Sequence, residues 1–352
     1  MINRDNNIWL RRFERLPEKL KRDGISWVLR RGVWKILHRS VRLNSKPVVH
    51  KGIYIVVTTC CDLKCPGCMR TINLKKNRWK NRHMSVSAFR QIIEGFPTAE
   101  TVLLCGTGEP ALHPSLPELI RIAKQSKKFN NIELTTNLIS RDDEYYLQLF
   151  HAGLSKMYVS VDALTPVLAE RVRTGTVTEK LKDRLRFLSS RLNRIASPYF
   201  GGISIRVTVG SENYGSVESI LRELNQLGEF AVLVNYFDDL GGNGVQKELS
   251  ILEKKELVHR INSMKHLLRN LTVFTSIPSK ADWCKALERG AVHVTVEGYA
   301  TPCAVLWDKE YYNTNLMSTP LSEFLRSSEL EIKWQQSQRE YPSFCNGCKW
   351  RV

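Results

Sequence analysis

The stretch Ile53-Tyr-Ile-Val-Val-Thr-Thr-Cys-Cys-Asp-Leu-Lys-Cys-Pro-Gly-Cys-Met69 sets the organisation of the chain. Its first five residues are apolar or β-branched, a pattern that predicts a buried strand. The strand leads directly into Cys61, Cys65 and Cys68, spaced Cys-x3-Cys-x2-Cys. Thiolates are soft ligands that suit iron–sulfur clusters or zinc, and three of them on one loop can converge on one metal centre. The stretch therefore predicts a metal-binding loop at the end of a strand.

Three cysteine ligands leave one iron of a four-iron cluster without a protein ligand. That open position is where chemistry can happen, as at a catalytic zinc. The spacing Cys61-x3-Cys65-x2-Cys68 resembles the signature of the radical SAM superfamily, which uses S-adenosylmethionine (SAM) and carries these cysteines after the first barrel strand. Members usually have an aromatic residue just before the third cysteine, near the SAM adenine, whereas this chain has Gly67. A zinc site is the alternative that the three cysteines leave open.

The composition is that of a globular protein, with 42% hydrophobic and 25% charged residues among 352. This length suits one large barrel with a small appendage. The sequence contains no run of 18 apolar residues, and its first residues lack the apolar core of a signal peptide. We therefore expect a cytoplasmic protein. In a reducing compartment, nine cysteines are better explained as ligands than as disulfides.

Positive charge is concentrated at the start of the chain. Residues 1–50 contain 13 Lys and Arg against 4 Asp and Glu, which is half of the net charge of +18. We predict a basic helical extension over residues 1–49, whose second helix has an apolar stripe flanked by Trp27 and Trp34. Such a helix can lie peripherally on an anionic membrane. The alternative is that its apolar face packs on the barrel and its charges face solvent.

Strands and helices alternate after the cysteine loop. Further strands are predicted at 101–105, 132–135, 156–161, 203–209 and 231–234, with helices between them and one over 250–270. Parallel strands need such crossover connections, so the pattern indicates an α/β protein with a parallel sheet. The resemblance implies an open partial (β/α)6 TIM-like barrel over residues 50–245, with its site at the carboxyl ends of the strands.

The expected SAM contacts follow the predicted strands. The segment 106–110, Gly-Thr-Gly-Glu-Pro, resembles the Gly-Gly-Glu-Pro element of the superfamily, which binds the SAM amino group; Thr107 replaces its first glycine. Related enzymes also have a serine on the fourth strand and an arginine about a dozen residues further on, for which Arg171 is the first candidate and Arg173 the second. The residues so implied to contact SAM are Gly106, Thr107, Gly108, Glu109, Pro110, Asn137, Ser160, Asp162 and Arg171.

A second cysteine pattern lies in the last hundred residues. The spacing Cys284-x13-Gly298-x4-Cys303, followed by Cys345-x2-Cys348, resembles the twitch form of the SPASM extension, which binds one auxiliary four-iron cluster. The strand-like residues 293–297 fit the β-hairpin of such domains. We therefore predict a linker helix and a twitch domain over residues 246–352, with a four-cysteine zinc site as the alternative. Cys60 and Cys105 remain, and we expect them to be small buried hydrophobic residues.

The resemblance implies a radical SAM enzyme with two 4Fe-4S clusters and SAM, supplied with electrons by a flavodoxin or ferredoxin. SAM is cleaved reductively to a 5′-deoxyadenosyl radical, which abstracts hydrogen from a substrate C–H. The four-cysteine pattern is closer to sugar-alcohol dehydrogenases of the 2-deoxy-scyllo-inosamine type than to seven-cysteine peptide maturases. We therefore predict oxidation or epimerisation of a polar, carbohydrate-like or phosphorylated anion. No residue is singled out as the substrate-side acid or base.

Two other functions stay open. One is modification of a ribosomally made peptide, although the first 50 residues look too short for a leader-binding winged-helix domain. The other is a non-catalytic metal protein that binds nucleic acid, against which the SAM-like elements argue. The segment 70–82 contains six Lys and Arg and no acidic residue. We interpret it as a loop near the site mouth that clamps an anionic small molecule or peptide, or else as an ordinary solvated loop.

Overall fold

The computed structural model describes residues 52–96, 98–192, 202–239, 246–275, 291–301 and 314–319. All of them belong to the unit Val49–Val352. The strands are β1 Gly52–Val56, β2 Ala99–Cys105, β3 Phe129–Thr136, β4 Lys156–Ser160, β5 Gly202–Val209, β6 Phe230–Tyr236, β7 Leu271–Thr275, β8 Ala291–Val294 and β9 Ala300–Thr301. The helices are α1 Met69–Lys75, α2 Val86–Gly95, α3 Leu116–Gln125, α4 Asp143–His151, α5 Pro166–Val172, α6 Thr178–Leu192, α7 Val217–Leu227 and α8 Ile251–Met264.

These strands form one sheet in the order β7-β6-β5-β4-β3-β2-β1-β8-β9. Each neighbouring pair is parallel except β8 and β9, which form an antiparallel hairpin. The parallel α/β sheet with crossover helices, predicted over the first six strands, is confirmed. The hairpin predicted before Gly298 is also present, and its first strand joins the main sheet beside β1.

Side chains alternate along the strands between two faces of the sheet. On β3, Ile132 and Leu134 are buried in the apolar core, whereas Glu133 and Thr135 are only half-buried. The apolar face packs against the helices, whose buried residues include Phe89, Leu119 and others of the same core. The other face, which we call the inner face, carries polar residues on β3, β4 and β5. A parallel strand covered by helices on both sides would be apolar throughout, so this alternation shows that the inner face lines a polar interior.

Several element assignments differ from those predicted. Residues Met69–Lys75 form a helix, although we expected a loop over the whole of 70–82. The sheet also continues beyond residue 245, because β7 pairs with β6 and β8 pairs with β1. Neither pairing is visible locally, since a four- or five-residue apolar run does not reveal its neighbour. The proposed domain boundaries stay predictions, and the basic extension 1–49 lies outside the described residues.

No helix in the described part of the chain is long and apolar enough to cross a membrane. The expected cytoplasmic location and the expected contact of residues 1–49 with a membrane surface stay predictions.

Candidate active site

A cavity of about 250 Å³, partly open to solvent, lies at the carboxyl ends of the parallel strands. The ends of β2, β3, β4 and β5 and the cysteine loop contribute its walls. Polar edges meet there because parallel strands all finish on the same side of the sheet. The sequence-predicted residues that line it are Cys61, Cys65, Cys68, Gly106, Thr107, Gly108, Glu109, Asn137, Ser160 and Asp162.

The start of the cysteine loop is fixed by hydrogen bonds around Thr59. Its backbone N–H donates to Arg82 O at 2.9 Å, and its hydroxyl donates to Lys80 O at 2.7 Å. The backbone carbonyl of Thr59 accepts from Trp79 Nε1 at 3.2 Å and from Arg70 Nε at 3.1 Å. The loop is thus tied to the segment that follows it, which limits how far the three cysteines can move apart.

Arg70 has a different role from the one predicted. Its side chain is buried, with 6% exposed, and its guanidinium also donates to Leu63 O at 3.3 Å. Arg70 therefore cannot belong to an exposed anion clamp. The exposed cations of the segment are Lys75, Lys76, Arg78, Lys80 and Arg82, the last of which pairs with Glu297. The correction has a simple cause: α1 turns Arg70 inward, where it satisfies loop carbonyls that would otherwise be buried without a donor.

The three cysteine side chains are half-buried in the cavity wall. Burial raises the pKa of Cys61 to about 12. Burial also raises the pKa of Cys65, while the nearby positive charge of Arg173 acts in the opposite direction. A bound metal ion would lower these thiol pKa values, because the metal coordinates the thiolate and its positive charge compensates the negative charge of the sulfur. Cys61 and Cys65 are thus better suited to metal binding than to acting as free nucleophiles.

The segment 106–110 approaches the cysteine loop closely through its glycines. A Cβ on Gly108 would lie 2.3 Å from Thr58 O and 2.7 Å from Cys60 O. Gly106 has φ +135° and would place a Cβ against Val56. Glu109 N–H donates to Cys60 O at 2.7 Å, so the two segments are also joined by a backbone hydrogen bond. Glycine is needed at both positions because any side chain would separate these loops. Pro110 is buried and does not line the cavity.

Glu109 holds the ends of β2 and β3 together. Its carboxylate accepts from Ala111 N at 3.0 Å, from Thr136 Oγ1 at 2.7 Å and from Asn137 N at 2.6 Å. Burial raises the pKa of Glu109 to about 7, although the three hydrogen-bond donors act to lower it. The prediction gave this residue a contact with the SAM amino group. The structure adds a positioning role, because both carboxylate oxygens already accept hydrogen bonds from the protein.

Asn137 also forms hydrogen bonds through both polar atoms of its side chain. Its Nδ2 donates to Asp62 Oδ1 at 2.8 Å, and its Oδ1 accepts from Ile139 N at 2.9 Å. The bond to Asp62 links the end of β3 to the residue directly after Cys61. Ser160, at the end of β4, also lies on the cavity wall.

The arginine at the cavity is Arg173, not Arg171. Arg173 donates to Asp162 at 3.0 Å, and the two side chains are 15% and 12% exposed. Asp162 also accepts from Thr208 N at 2.6 Å, which fixes the carboxylate between β4 and β5. Arg171 instead pairs with Glu212, and its side chain is 59% exposed. The choice of Arg171 was wrong because α5 ends at Val172, so the chain leaves the helical path before Arg173.

Several cavity residues were missed, among them Phe237 and Gln246. Phe237 is 8% exposed and supplies an aromatic surface in a cavity where Gly67 offers none. Phe237 directly follows β6, so the rule that the carboxyl ends of parallel strands meet at one edge could have identified it. No local signal marks Gln246, which lies ten residues beyond the end of β6.

The remaining cysteines divide into two groups. Cys60 and Cys105 are half-buried, not buried as predicted. Cys60 Sγ lies 3.6 Å from His83 Nε2 and does not line the cavity. The four cysteines assigned to an auxiliary cluster, Cys284, Cys303, Cys345 and Cys348, lie outside the described residues.

In a comparison with protein families, residues 55–224 match the model of the radical SAM superfamily. Among curated proteins, the chain is 27% identical over 194 residues to a tungsten-containing aldehyde ferredoxin oxidoreductase cofactor-modifying protein of Pyrococcus furiosus. This alignment covers 53% of the chain and 51% of that relative, so the chain spans about half of the relative's length. It is also 24% identical over 269 residues to a probable GTP 3′,8-cyclase of Methanococcus aeolicus, covering 72% of the chain and 85% of the relative.

Solved structures with bound SAM show a similar fold. Streptococcus suis SuiB bound to S-adenosylmethionine superposes with a TM-score of 0.63 at 15% identity, covering 86% of this chain and 71% of that one. The structure of anSMEcpe with bound AdoMet gives a TM-score of 0.64 at 13% identity, covering 85% and 86%. At such identities the likeness concerns the fold, and it supports the partial TIM-like barrel.

The described residues fit an iron–sulfur cluster and SAM. The donor set consists of three thiols that line the same cavity as the Arg173–Asp162 pair, although within the described residues no three donors are close enough together to hold a single metal ion. Thr107 Oγ1 is buried in the cavity wall and has no hydrogen-bond partner among the atoms that the structure describes. A buried hydroxyl without a partner is costly, so a polar ligand that bonds to it would be favoured.

Proposed function

Residues 55–224 belong to the radical SAM superfamily, and from that premise we propose an enzyme that oxidises or epimerises a C–H bond of an anionic substrate. One observation carries the proposal: the three thiols, the 106–109 segment and the Arg173–Asp162 pair line the same cavity. When bound, a four-iron cluster and SAM supply a 5′-deoxyadenosyl radical through one-electron cleavage of the S–C5′ bond.

Each wall of the cavity has a separate task in this proposal. Cys61, Cys65 and Cys68 hold the cluster. Arg173, fixed by Asp162, offers donors and positive charge to the SAM carboxylate, since a guanidinium pairs well with carboxylates. The hydroxyl of Thr107, which has no partner among the described atoms, offers a further hydrogen bond. Phe237 provides the aromatic surface for the adenine that Gly67 does not.

The basic test is anaerobic incubation of the reconstituted full-length protein with SAM and a reduced flavodoxin or ferredoxin. We expect 5′-deoxyadenosine to form, because the cluster-binding loop and the SAM contacts are assembled in one cavity. Chromatography with mass detection measures it. Iron-loaded protein that produces no 5′-deoxyadenosine with a competent reductant would contradict the proposed activity.

The proposal includes an auxiliary four-iron cluster held by Cys284, Cys303, Cys345 and Cys348. It is supported by their spacing and by the β8–β9 hairpin, whose turn contains Gly298. An auxiliary cluster would accept the electron left on the substrate after hydrogen abstraction, which makes net oxidation natural.

We expect the double variant Cys345→Ala with Cys348→Ala to form 5′-deoxyadenosine and to fail to complete an oxidised product. The physical reason is that hydrogen abstraction needs only the first cluster, whereas oxidation needs an electron acceptor. Product and 5′-deoxyadenosine are measured in the same reaction, with Cys60→Ala as the control. Full product formation by the double variant would remove the electron-acceptor role, and zinc instead of iron in the wild-type site would remove the auxiliary cluster itself.

An anionic substrate is supported by charge near the loop. The exposed cations Lys75, Lys76 and Arg78 form no ion pair with any carboxylate in the described ranges, and they lie on the segment that is hydrogen-bonded to the cysteine loop. One relative is named as a probable GTP 3′,8-cyclase, and GTP is a polyanion. An uncompensated basic segment raises the local concentration of anions.

Changing Lys75, Lys76 and Arg78 to glutamine is expected to raise the KM for the substrate severalfold and to leave SAM cleavage without substrate unchanged. Exposed charges act mainly on the rate at which an anionic substrate encounters the enzyme. The increase in KM should therefore become smaller as salt is added, because charges are screened beyond about 8–10 Å near physiological ionic strength. Steady-state kinetics at two salt concentrations measure it. The matched control changes the exposed Arg90, Arg121 and Lys124 of α2 and α3; an equal KM increase there would show that only net charge matters.

A further inference from the structure

A second polar group lies on the inner face of the sheet, deeper than the cavity. It consists of Glu133 on β3, Lys156 and Tyr158 on β4, and Arg206 on β5. These strands are neighbours, with Glu133 opposite Lys156 and Ser160 opposite Arg206 in the parallel register. Each of these residues alternates with core residues such as Met157 and Ile205, which are fully buried on the apolar face. The four side chains therefore share the inner face, and we call them the inner cluster.

The inner cluster is continuous with the cavity. Thr135, Ser160 and Thr208 line the cavity, and each lies two residues after a member of the cluster on the same strand. Two residues along a strand span about 7 Å, so the inner cluster forms the next layer toward the amino ends of the strands. Arg206 also donates to Thr135 Oγ1 at 3.4 Å, which joins the two layers directly.

Within the described residues, Arg206 differs from three other buried or half-buried arginines in forming no ion pair, and from the buried Arg70 in donating to no backbone carbonyl. Arg173, Arg184 and Arg260 each form an ion pair with Asp162, Asp143 and Glu218, respectively. In the part of the chain that the structure describes, Arg206 forms no ion pair within 4 Å, and its hydrogen bond to Thr135 is long. Its guanidinium carbon instead lies 3.8 Å from the centre of the Tyr158 ring. A guanidinium has five N–H donors, and stacking on a ring uses none of them.

The charge of the inner cluster is also unbalanced. Lys156 Nζ lies 4.9 Å from the centre of the same Tyr158 ring, so two cations flank one aromatic side chain. Glu133 is the one carboxylate in the cluster, which leaves an excess positive charge. Burial raises the pKa of Glu133 and lowers the pKa of Lys156, as expected for charges held away from bulk water. An anion entering between them would restore the balance at low desolvation cost, because the cations are already partly desolvated.

Ser204 adds an unpartnered hydroxyl at the same place. It lies on β5 two residues before Arg206 and opposite Tyr158 in the register. Its side chain is 0% exposed, and its Oγ has no hydrogen-bond partner among the described atoms. Buried hydroxyls normally have a partner. The inner cluster thus contains a stacked guanidinium, a second cation and a free hydroxyl on adjacent strands.

We propose that Arg206, supported by Tyr158 and Lys156, binds an anionic group of the substrate, a phosphate ester or a carboxylate, on the floor of the barrel. The anion would anchor one end of a small molecule, so that its other end reaches the cavity above. This inference rests on the proposed function only for the statement that the anion belongs to the substrate. A planar guanidinium suits both groups, because its paired N–H donors match two oxygens of either.

The test uses anaerobically reconstituted full-length protein titrated with sodium phosphate and, separately, with sodium succinate, at ionic strength matched with sodium chloride. Calorimetric titration gives the affinity, and the melting temperature gives an independent measure. We expect at least one anion to bind, and Arg206→Gln to weaken its binding at least about tenfold. The affinity of Arg206→Lys should lie between those of the wild type and Arg206→Gln. A lysine ammonium keeps the positive charge but lacks the paired N–H donors of a guanidinium. Arg191→Gln is the control, since Arg191 also stacks on a ring, Phe187 at 5.5 Å, but is exposed on α6.

The outcomes distinguish phosphate from succinate as the bound anion, and they distinguish failure of the anion site from failure of the proposed activity. Binding of phosphate alone indicates a phosphate ester, and binding of succinate alone indicates a carboxylate. The inference is overturned if neither anion binds, or if Arg206→Gln binds as tightly as the wild type. If Arg206→Gln does not fold, undiminished affinity in Arg206→Lys overturns it instead. Formation of 5′-deoxyadenosine is measured on the same preparations: its absence with anion binding intact would contradict the proposed activity and leave the inner cluster as an anion site.

Discussion

Changing Cys61, Cys65 and Cys68 together to alanine is expected to lower the iron content from about eight atoms to about four and to abolish 5′-deoxyadenosine formation. The three thiols line one wall of the cavity, and no other described cysteine lines it. Without them the loop has no soft ligand to hold iron, so SAM cannot be cleaved. Iron analysis, absorbance spectra and 5′-deoxyadenosine assays measure the loss.

The matched control for this variant is Cys60→Ala. Cys60 directly precedes Cys61, but its sulfur lies near His83 and outside the cavity. We expect this variant to keep its full iron content and SAM cleavage. A triple variant that keeps all of its iron, or a Cys60→Ala variant that loses as much iron as the triple variant, would show that the ligand assignment is wrong.

The second large effect is expected at Arg173. Changing Arg173 to glutamine should weaken SAM binding by about one to two orders of magnitude, because the lost charge–carboxylate hydrogen bonds are worth roughly 1.5–3 kcal/mol. It should also lower the free energy of unfolding, since Asp162 is largely buried and would lose its charged partner. Equilibrium dialysis with SAM and thermal unfolding measure the two effects separately.

Arg171→Gln provides the comparison two residues away. The Arg171 side chain is 59% exposed and pairs with Glu212 at the surface. Exposed ion pairs contribute about 0–1 kcal/mol, so we expect little change in stability and none in SAM binding. If Arg171→Gln weakened SAM binding as much as Arg173→Gln, the assignment of the cavity arginine would be reversed.

The inner cluster shows where sequence patterns are insufficient. Arg206 and Tyr158 could each be assigned to a strand from the alternation of apolar residues. Their stacking requires the register of β4 against β5, which no local pattern specifies. The absence of an ion pair at Arg206 within the described residues is likewise set by neighbouring strands, and it determines whether the guanidinium can bind a ligand.

The sequence alone determined the parallel α/β sheet and the cysteine loop of this protein. Burial with period two identified the first six strands, and the Cys61, Cys65 and Cys68 spacing identified the ligand loop. It also placed Gly108 and Ser160 at the site, because segments that directly follow parallel strands must meet at one edge of the sheet. These conclusions were accessible because each depends on residues close together in the chain.

The tertiary structure alone decided which side chains reach the cavity and which support it. Arg173 reaches the cavity while Arg171 does not, because α5 ends between them and Asp162 holds the later residue. Arg70 is buried beneath the cysteine loop, and Phe237, hydrogen-bonded to Val209 at the end of β5, lies in the cavity wall. In each case the position depends on partners distant in sequence, since a buried charge goes where its hydrogen-bond partners are and an apolar ring goes where packing removes it from water.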